Sequence, residues 1–207
     1  MSITIEQLAR GPQGLVIQCL RNIGPYENNI FIVSDDASRE AYILDAGFEP
    51  EAIASAAEGL TIKGIIITHG HRDHHENVAK LKGLLHVPVG IGMDDAAQLS
   101  IEPDFLVVDG QSLGFGTNAL QAIHTPGHTP GSTCFLFDGH VFTGDTLFPG
   151  GPGNTQNDPV RFERIISSVR DRLFTLPDET AVHPGHGRDT TIGTERPHLD
   201  EWVARGW

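Results

Sequence analysis

Short apolar runs separated by turns make up most of the chain. Runs rich in Val, Ile, Leu and Phe alternate with segments rich in Gly, Pro, Asp and Ser, which is typical of β-strands and their connections. The predicted strands cover residues 2–8, 14–20, 29–33, 41–44, 62–67, 87–91, 105–108, 120–124, 133–137, 140–142 and 180–182. Their grouping predicts two β-rich regions.

Five segments have the composition or apolar spacing of helices. The predicted helices cover residues 51–58, from 73–76 to about 82, 94–99, 162–173 and 198–204. Strands, helices, strands and helices thus follow one another along the chain. That order favours an α/β (α+β) fold in which two sheets face each other with helices outside.

Length, charge and cysteine content narrow the class of protein. With 207 residues, 39% of them hydrophobic, we expect a single globular domain over residues 1–207. The formal net charge of −13 argues against nucleic acid or an anionic membrane as a partner. We expect a small-molecule substrate. No signal peptide or long apolar span is evident, so we expect a cytoplasmic protein. Cys19 and Cys134 are flanked by apolar residues and are predicted to be unpaired core residues.

A dense group of metal-ligand residues follows one predicted strand. The apolar run 62–67 reads as a buried strand, and Thr-His-Gly-His-Arg-Asp-His-His comes directly after it. His69 and His71 project to one side of an extended segment, whereas Asp73 and His74 can turn away from them. This spacing suits two neighbouring metal ions better than one.

Three later segments each place a ligand-type residue after an apolar strand. They contain His128 in Pro-Gly-His-Thr, Asp145 in Thr-Gly-Asp-Thr and His186 in Pro-Gly-His-Gly. Gly and Pro around each residue favour a rigid loop that allows close approach. Five imidazoles and two carboxylates suit zinc, iron or manganese, and are too nitrogen-rich for calcium or magnesium.

Taken together, these motifs resemble those of the metallo-β-lactamase superfamily, in its glyoxalase II-like branch. The shared strings are Thr-His-x-His-x-Asp-His at 68–74, Pro-Gly-His-Thr-x-Gly-Ser at 126–132, Thr-Gly-Asp at 143–145 and Pro-Gly-His-Gly at 184–187. The resemblance implies a four-layer αβ/βα sandwich with a dinuclear site at one edge. It also implies that His69, His71 and His128 hold one divalent ion, that Asp73, His74 and His186 hold the other, and that Asp145 bridges them.

Departures from the family narrow the expected activity. The members that destroy antibiotics have a cysteine ligand where this chain has Asp145, so we expect no β-lactamase activity. Only 21 residues follow His186, so we expect no C-terminal glutathione-binding domain of the glyoxalase II type. The loop 147–159 lacks the Gly-Cys-Gly-Arg pattern of glyoxalase II and persulfide dioxygenases, which leaves open whether the thiol is glutathione or another, such as mycothiol.

Other residues near the motifs have simpler interpretations. His75 is expected to be a solvated residue of a first helical turn. His124 and His183 either orient a ligand imidazole or only pack. The remaining histidines are expected on the surface or in loops; they are His86, His140 and His198. Arg72 and Arg188 are expected to be exposed, with binding of a substrate carboxylate as the alternative. The loop 147–159 is expected to be irregular and to line the substrate, or else to be a plain connector.

The site that the resemblance implies leads to a reaction. Two ions sharing Asp145, most simply zinc, would lower the pKa of a bridging water from 15.7 towards roughly 7, giving a metal-bridging hydroxide that attacks a carbonyl while Asp73 aligns it. A thioester suits this design because a thiolate leaves without a general acid. We therefore expect a dinuclear, metal-dependent hydrolase of a small acyl-thiol thioester. The alternatives are a mononuclear iron persulfide dioxygenase using His69, His128 and Asp145, a lactone hydrolase, or a non-catalytic metal-binding scaffold.

Overall fold

The computed structural model describes residues 3–10 and 14–206, which form four layers. Two sheets pack face to face, and helices cover the outer face of each. The prediction of an αβ/βα sandwich is therefore confirmed; its assignment of residue 2 to a strand lies outside the described residues. No described helix is long and apolar enough to cross a membrane.

The first sheet contains seven strands in chain order. They are β1 (Thr4–Arg10), β2 (Leu15–Ile23), β3 (Asn28–Asp35), β4 (Glu40–Leu44), β5 (Thr61–Ile67), β6 (Val89–Gly92) and β7 (Phe105–Val107). Strands β1 to β4 pair antiparallel, and β4 to β7 pair parallel. Because β4 and β5 are parallel, the segments that follow them leave the sheet at the same edge.

The second sheet contains six strands and a small hairpin lies beside it. The strands are β8 (Ser112–Phe115), β9 (Asn118–His124), β10 (Thr133–Phe137), β11 (His140–Gly144), β14 (Ala181–Pro184) and β15 (Thr190–Thr191), and the hairpin is β12 (Leu147–Phe148) with β13 (Gly151–Pro152). Their order in the sheet is β15-β14-β11-β10-β9-β8. Strands β11 and β14 are parallel, so their following loops also share one edge.

Five α-helices within the described ranges complete the outer layers. They are α1 (Pro50–Ala56), α2 (Val78–Leu85), α3 (Pro159–Ser168), α4 (Ile192–Glu195) and α5 (Leu199–Arg205). Ile53 of α1 and Leu81 of α2 pack on the first sheet, whereas Ile166 of α3 and Trp202 of α5 pack on the second. Large side chains of both sheets fill the interior between them, each contributing about 1.5–3 kcal/mol by burial.

Several elements differ from the sequence predictions. The predicted helix after the first motif is a 3₁₀ turn, Arg72–His74, and α2 begins only at Val78. The segment predicted as a helix over 94–99 is the 3₁₀ helix Met93–Gln98, and the last turn of the predicted helix 162–173 is a π turn, Val169–Leu173. The loop 147–159 is not fully irregular, since it contains the β12–β13 hairpin. Strands too short to carry a pattern, β8 and β15, were not predicted.

Cys19 and Cys134 are buried and unpaired, as predicted. Burial raises the pKa of the Cys19 thiol to about 12 and that of the Cys134 thiol to about 11. Both therefore remain protonated thiols at neutral pH, which fits their role as small core residues.

Candidate metal centre

One edge of the sandwich gathers all the predicted ligand residues. The first four follow β5, His128 lies between β9 and β10, Asp145 follows β11 and His186 follows β14. The residues that the structure brings together are His69, His71, Asp73, His74, His128, Asp145 and His186. The parallel pairs β4–β5 and β11–β14 explain the convergence, because both deliver their following loops to this edge.

The ligand atoms fall into groups of three whose members lie within 4.8 Å of one another. A first triplet contains His69, His71 and His128, and a second contains Asp73, His74 and His186. We refer to them below as the first and second triplets.

Asp145 lies between the two triplets. Its Oδ2 is 3.4 Å from His128 Nε2 and 3.6 Å from His186 Nε2, and its Oδ1 is 3.5 Å from His74 Nε2. One carboxylate thus faces both triplets, as a bridging ligand would.

Hydrogen bonds on the outer side of the imidazoles orient the rings. His128 Nδ1 donates to the Asn154 carbonyl at 2.8 Å, and His186 Nδ1 donates to the Tyr26 carbonyl at 2.9 Å. His74 Nδ1 donates to Asp45 Oδ2 at 2.8 Å. With the proton held at Nδ1, the Nε2 atom of each ring can present its lone pair to the centre.

The inner atoms are arranged as a cation would require. His74 Nε2 and His186 Nε2 face each other at 3.2 Å, so a bound cation would replace the proton that one of these nitrogens carries in the metal-free protein. His128 Nε2 and Asp145 Oδ1 are buried without a hydrogen-bond partner in the described part of the chain. The residues present therefore fit divalent metal ions held by nitrogen and oxygen ligands.

The electrostatics of the two triplets differ. Burial, reinforced by neighbouring imidazoles, lowers the pKa of His69 well below 6.5, and burial lowers that of His128 to about 4. Burial would also lower the pKa of His74, but the carboxylates of Asp45 and Asp145 outweigh it and raise that pKa to about 9. The second triplet thus lies in a negative potential that favours a cation.

Asp73 is an ionised carboxylate within the second triplet. Although burial opposes its charge, the hydrogen bond from His186, the charge of His74 and a hydrogen bond from Asn28 lower its pKa. Asn28 Nδ2 donates to Asp73 Oδ2 at 3.1 Å and so fixes which oxygen faces the ligands.

Asp45 and Asp95 support the site but were not identified from the sequence. Asp45 follows β4 and binds His74 and Thr68. Asp95, fully buried, accepts from Gly70 N at 2.7 Å and Gly131 N at 2.8 Å, and so joins the segment of His69 and His71 to the loop of His128. Asp45 directly follows a predicted apolar strand, as the ligand residues do, so the same pattern identifies it as a candidate. Asp95 lies within a 3₁₀ helix and has no such position in the sequence.

Two histidines depart from their predicted surface positions. The prediction that His75 is solvated is wrong: the 3₁₀ turn before it directs its ring inward, where only 3% is exposed and Nε2 donates to the Gly70 carbonyl at 3.2 Å. His140 lies half-buried in β11 rather than on the surface, and its Nδ1 is 3.0 Å from His183 Nε2. His86 and His198 are exposed, as expected.

Within the described residues, neither His124 nor His183 makes a hydrogen bond to a ligand imidazole. His124 Nε2 donates to the Pro130 carbonyl at 2.9 Å, which supports the loop of His128. His183 packs between Phe31 and Phe142. His183 is thus a packing residue, and His124 acts on the loop.

The loop 147–159 forms a wall of the centre. The Asn154 carbonyl accepts from His128, and the ring of Phe148 stacks on that of His186 with centroids 6.5 Å apart and an interplanar angle of 25°. Arg72 is exposed and paired with Glu76, and Arg188 is exposed, as expected for both.

A family model and relatives of known sequence match this chain. The model described as the metallo-beta-lactamase superfamily matches residues 23–186. The probable metallo-hydrolase YqgX of Bacillus subtilis is 32% identical over 196 residues, covering 84% of this chain and 92% of that protein. Hydroxyacylglutathione hydrolase GloC of Haemophilus influenzae is 31% identical over 194 residues, covering 83% and 91%.

Solved structures share the fold. TTHA1623 in a di-iron-bound form is 34% identical with a TM-score of 0.70, and the match covers 84% of this chain and 94% of that one. ETHE1 from Myxococcus xanthus is 28% identical with a TM-score of 0.73, covering 95% and 83%. The BLEG-1 B3 metallo-beta-lactamase is 27% identical with a TM-score of 0.74, covering 86% and 96%.

Proposed function

Because the chain belongs to the metallo-β-lactamase superfamily, we propose that it is a dinuclear metal-dependent hydrolase of a small acyl-thiol thioester. The position of Asp145 carries this proposal, since its carboxylate lies within 3.6 Å of ring nitrogens from both triplets. The glutathione-thioester hydrolase among the relatives supports the reaction class.

Each triplet would hold one divalent ion. His69, His71 and His128 would hold the first, Asp73, His74 and His186 would hold the second, and Asp145 would contact both. Zinc fits this nitrogen-rich set, and the di-iron form of TTHA1623 supports iron as an alternative, with manganese also compatible. When bound, such ions supply an acidified water and polarise a carbonyl, which is the chemistry that thioester hydrolysis needs.

Asp73 and Asp145 are the proposed catalytic carboxylates. Asp73 is ionised at neutral pH and is held by Asn28, so it can accept a hydrogen bond from an attacking water and align it. Asp145 lies beside histidines of both triplets and so fixes the position of one triplet relative to the other. A general acid is not required, because a leaving thiolate has a pKa of only about 8.5 and departs without protonation.

An aromatic wall beside the second triplet fits a small apolar part of the substrate. Tyr26 is 64% exposed and its ring lies 6.3 Å from that of Phe48, while Phe148 lies beside His186. We place the apolar end of the substrate against these rings. The unpaired cysteines also fit a reducing cytoplasm, where thiol-derived substrates are available.

Metal content and a substrate panel test this proposal together. The protein is purified without added metal and analysed for elements, and then offered acyl thioesters of glutathione and of other thiols, a lactone and a β-lactam. We expect two ions per chain and thioester turnover that is lost in Asp145→Ala. A metal-loaded protein that leaves every thioester intact would overturn the proposal, and turnover of the β-lactam or lactone alone would reassign the substrate.

A persulfide dioxygenase is the second candidate, supported by the likeness to proteins named persulfide dioxygenase ETHE1 and to the ETHE1 structure from Myxococcus xanthus. His69, His128 and Asp145 would then form a two-histidine, one-carboxylate iron site. A single iron per chain, with oxygen uptake on addition of a thiol persulfide, would favour this reaction over hydrolysis. A well-loaded site that is inactive in every assay would instead indicate a metal-binding scaffold.

A further inference from the structure

A small cavity opens beside the first triplet. It has a volume of about 220 Å³, and its lining includes His71, Gln98, Thr129, Arg161 and Arg164. No carboxylate belongs to its described lining, although the chain carries a net charge of −13. Its wall is therefore positive where most of the molecule is negative.

The two arginines of this cavity have different roles. Arg161 Nε donates to the Gly127 carbonyl at 3.2 Å, another of its guanidinium nitrogens donates to the His128 carbonyl, and a third donates to Gln156 Oε1 at 3.0 Å. These bonds fix its charge against the loop that carries His128. Arg161 thus supports the first triplet and has few donors left for a ligand.

Arg164 is free to bind. It lies three residues after Arg161 on α3, so both side chains project from the same part of the helix surface into one cavity. It is exposed and, within the described residues, makes no hydrogen bond or ion pair. Other arginines such as Arg21, Arg72 and Arg172 are paired with carboxylates. A second, unpaired guanidinium beside a fixed one attracts an anion.

We propose that Arg164 binds a carboxylate of the substrate, so that the preferred thioesters carry a free carboxylate on the acyl or on the thiol half. The inference rests on the proposed thioester hydrolysis. A planar guanidinium matches a carboxylate through two parallel hydrogen bonds. The cavity is smaller than the roughly 300–1,000 Å³ of sites for drug-sized ligands, so it admits one short carboxylate-bearing arm. With the carboxylate beside His71, the other end of the substrate points towards the aromatic wall.

Matched substrates test this assignment. Butyryl and succinyl thioesters of N-acetylcysteamine differ by a carboxylate on the acyl half, and the butyryl thioester of mercaptopropionate places it on the thiol half. We expect the wild type to prefer one carboxylated thioester. In Arg164→Gln the ratio of kcat/KM between that substrate and the neutral one should fall about tenfold or more, through KM rather than kcat. Arg164→Lys should restore part of the ratio.

Two control variants keep the test specific. Arg170→Gln removes an exposed charge that is paired with Asp171 and should leave the ratio as in the wild type. Arg188→Gln removes the exposed arginine next to the second triplet. If Arg188→Gln causes the loss, or if Arg164→Gln leaves the ratio unchanged, the assignment to Arg164 is wrong.

A binding measurement separates this inference from the reaction. Glutarate is titrated into the metal-loaded protein by calorimetry, with the wild type, Arg164→Gln and Arg170→Gln compared. Weaker binding only in Arg164→Gln supports the carboxylate site even if no thioester is hydrolysed. If the protein hydrolyses thioesters but Arg164→Gln changes neither the glutarate affinity nor KM, the carboxylate site is wrong. The proposed hydrolase activity is then still supported.

Discussion

The carboxylate of Asp45 and the imidazole of His74 form a buried pair, with His74 Nδ1 donating to Asp45 Oδ2 at 2.8 Å. The same carboxylate accepts from the Thr68 hydroxyl at 3.0 Å, and that hydroxyl lies 3.2 Å from His69 Nδ1. Because the hydroxyl proton is used towards Asp45, its lone pair accepts from His69. One side chain thus orients an imidazole in each triplet.

The first prediction concerns this shared orientation. In Asp45→Asn, we expect metal affinity to fall about 10- to 100-fold, because an amide holds neither imidazole in the required tautomer as firmly. Competitive titration with a metal chelator measures the change. Asp138→Asn, at an exposed loop carboxylate, is the control and should bind metal like the wild type. Equal affinity in the two variants would show that Asp45 has only a structural role.

The second prediction concerns pH and the metal-free protein. The pKa of His74 rises from 6.5 to about 9 on folding, so this residue contributes stability that is fully present below pH 6.5 and is lost as pH rises through about 9. His128, whose pKa falls to about 4, has the opposite effect and lowers stability as pH falls from 6.5 to about 4. We therefore expect these two groups to give a stability maximum near pH 6.5, measured by urea unfolding in the presence of a chelator.

Metal affinity should increase as pH rises, whereas the contribution of His74 to the stability of the metal-free protein decreases. A metal displaces the proton from His74, so affinity at the second triplet should rise by up to about tenfold per pH unit between pH 6.5 and about 9. Calorimetry in two buffers of different ionisation enthalpy counts the protons released. Proton release that is the same in wild type and His74→Gln would contradict this assignment.

The third prediction concerns Asp95. Its side chain also accepts from the Thr129 hydroxyl at 2.5 Å, so Asp95→Ala leaves several buried donors without a partner. We expect a loss of roughly 3 kcal/mol or more in the free energy of unfolding. The neighbouring Asp94→Ala, at an exposed position, should change stability little. Urea unfolding of both variants provides the comparison, and similar midpoints would exclude the role given to Asp95.

The fourth prediction concerns the close packing behind the bridging residue. A Cβ at Gly153 would lie 1.8 Å from the Asp145 carbonyl oxygen and 3.2 Å from His128 Nδ1. Gly153→Ala should therefore displace both ligands, reduce metal content and cost about 1–3 kcal/mol in stability. Gly83→Ala, in helix α2 with no atom within 4 Å of the new Cβ, should be tolerated. Elemental analysis and thermal unfolding test both variants.

The ligand residues could be predicted from the sequence because each follows an apolar strand. That pattern depends only on local order along the chain, and parallel strands then deliver the segments to one edge. Two facing sheets with helices outside were expected because blocks of strands and helices alternate, and the family resemblance implied the four-layer sandwich. The error at His75 arose because a 3₁₀ turn and an α-helical turn place the following residue on different sides, and the sequence at 72–76 does not distinguish them.

The supporting residues could not be found in the same way. Asp95 reaches Gly70 and Gly131 only because the two sheets pack together, which is a relationship between distant segments. Arg161 and Arg164 likewise face the first triplet only through the placement of α3 against the loop at 127–130. Their charges in the sequence indicate a solvated helix surface and nothing more.

The order of the ligand residues along the chain implies that the two triplets become complete one after the other during synthesis. Each triplet combines residues of the early motif at 69–74 with a residue from the second sheet, His128 in one case and His186 in the other. On a ribosome, the first set of ligands is complete once residue 128 has emerged, and the second only after residue 186. Bound ions would then join segments far apart in the chain and oppose separation of the sheets, much as a covalent cross-link closes a long loop.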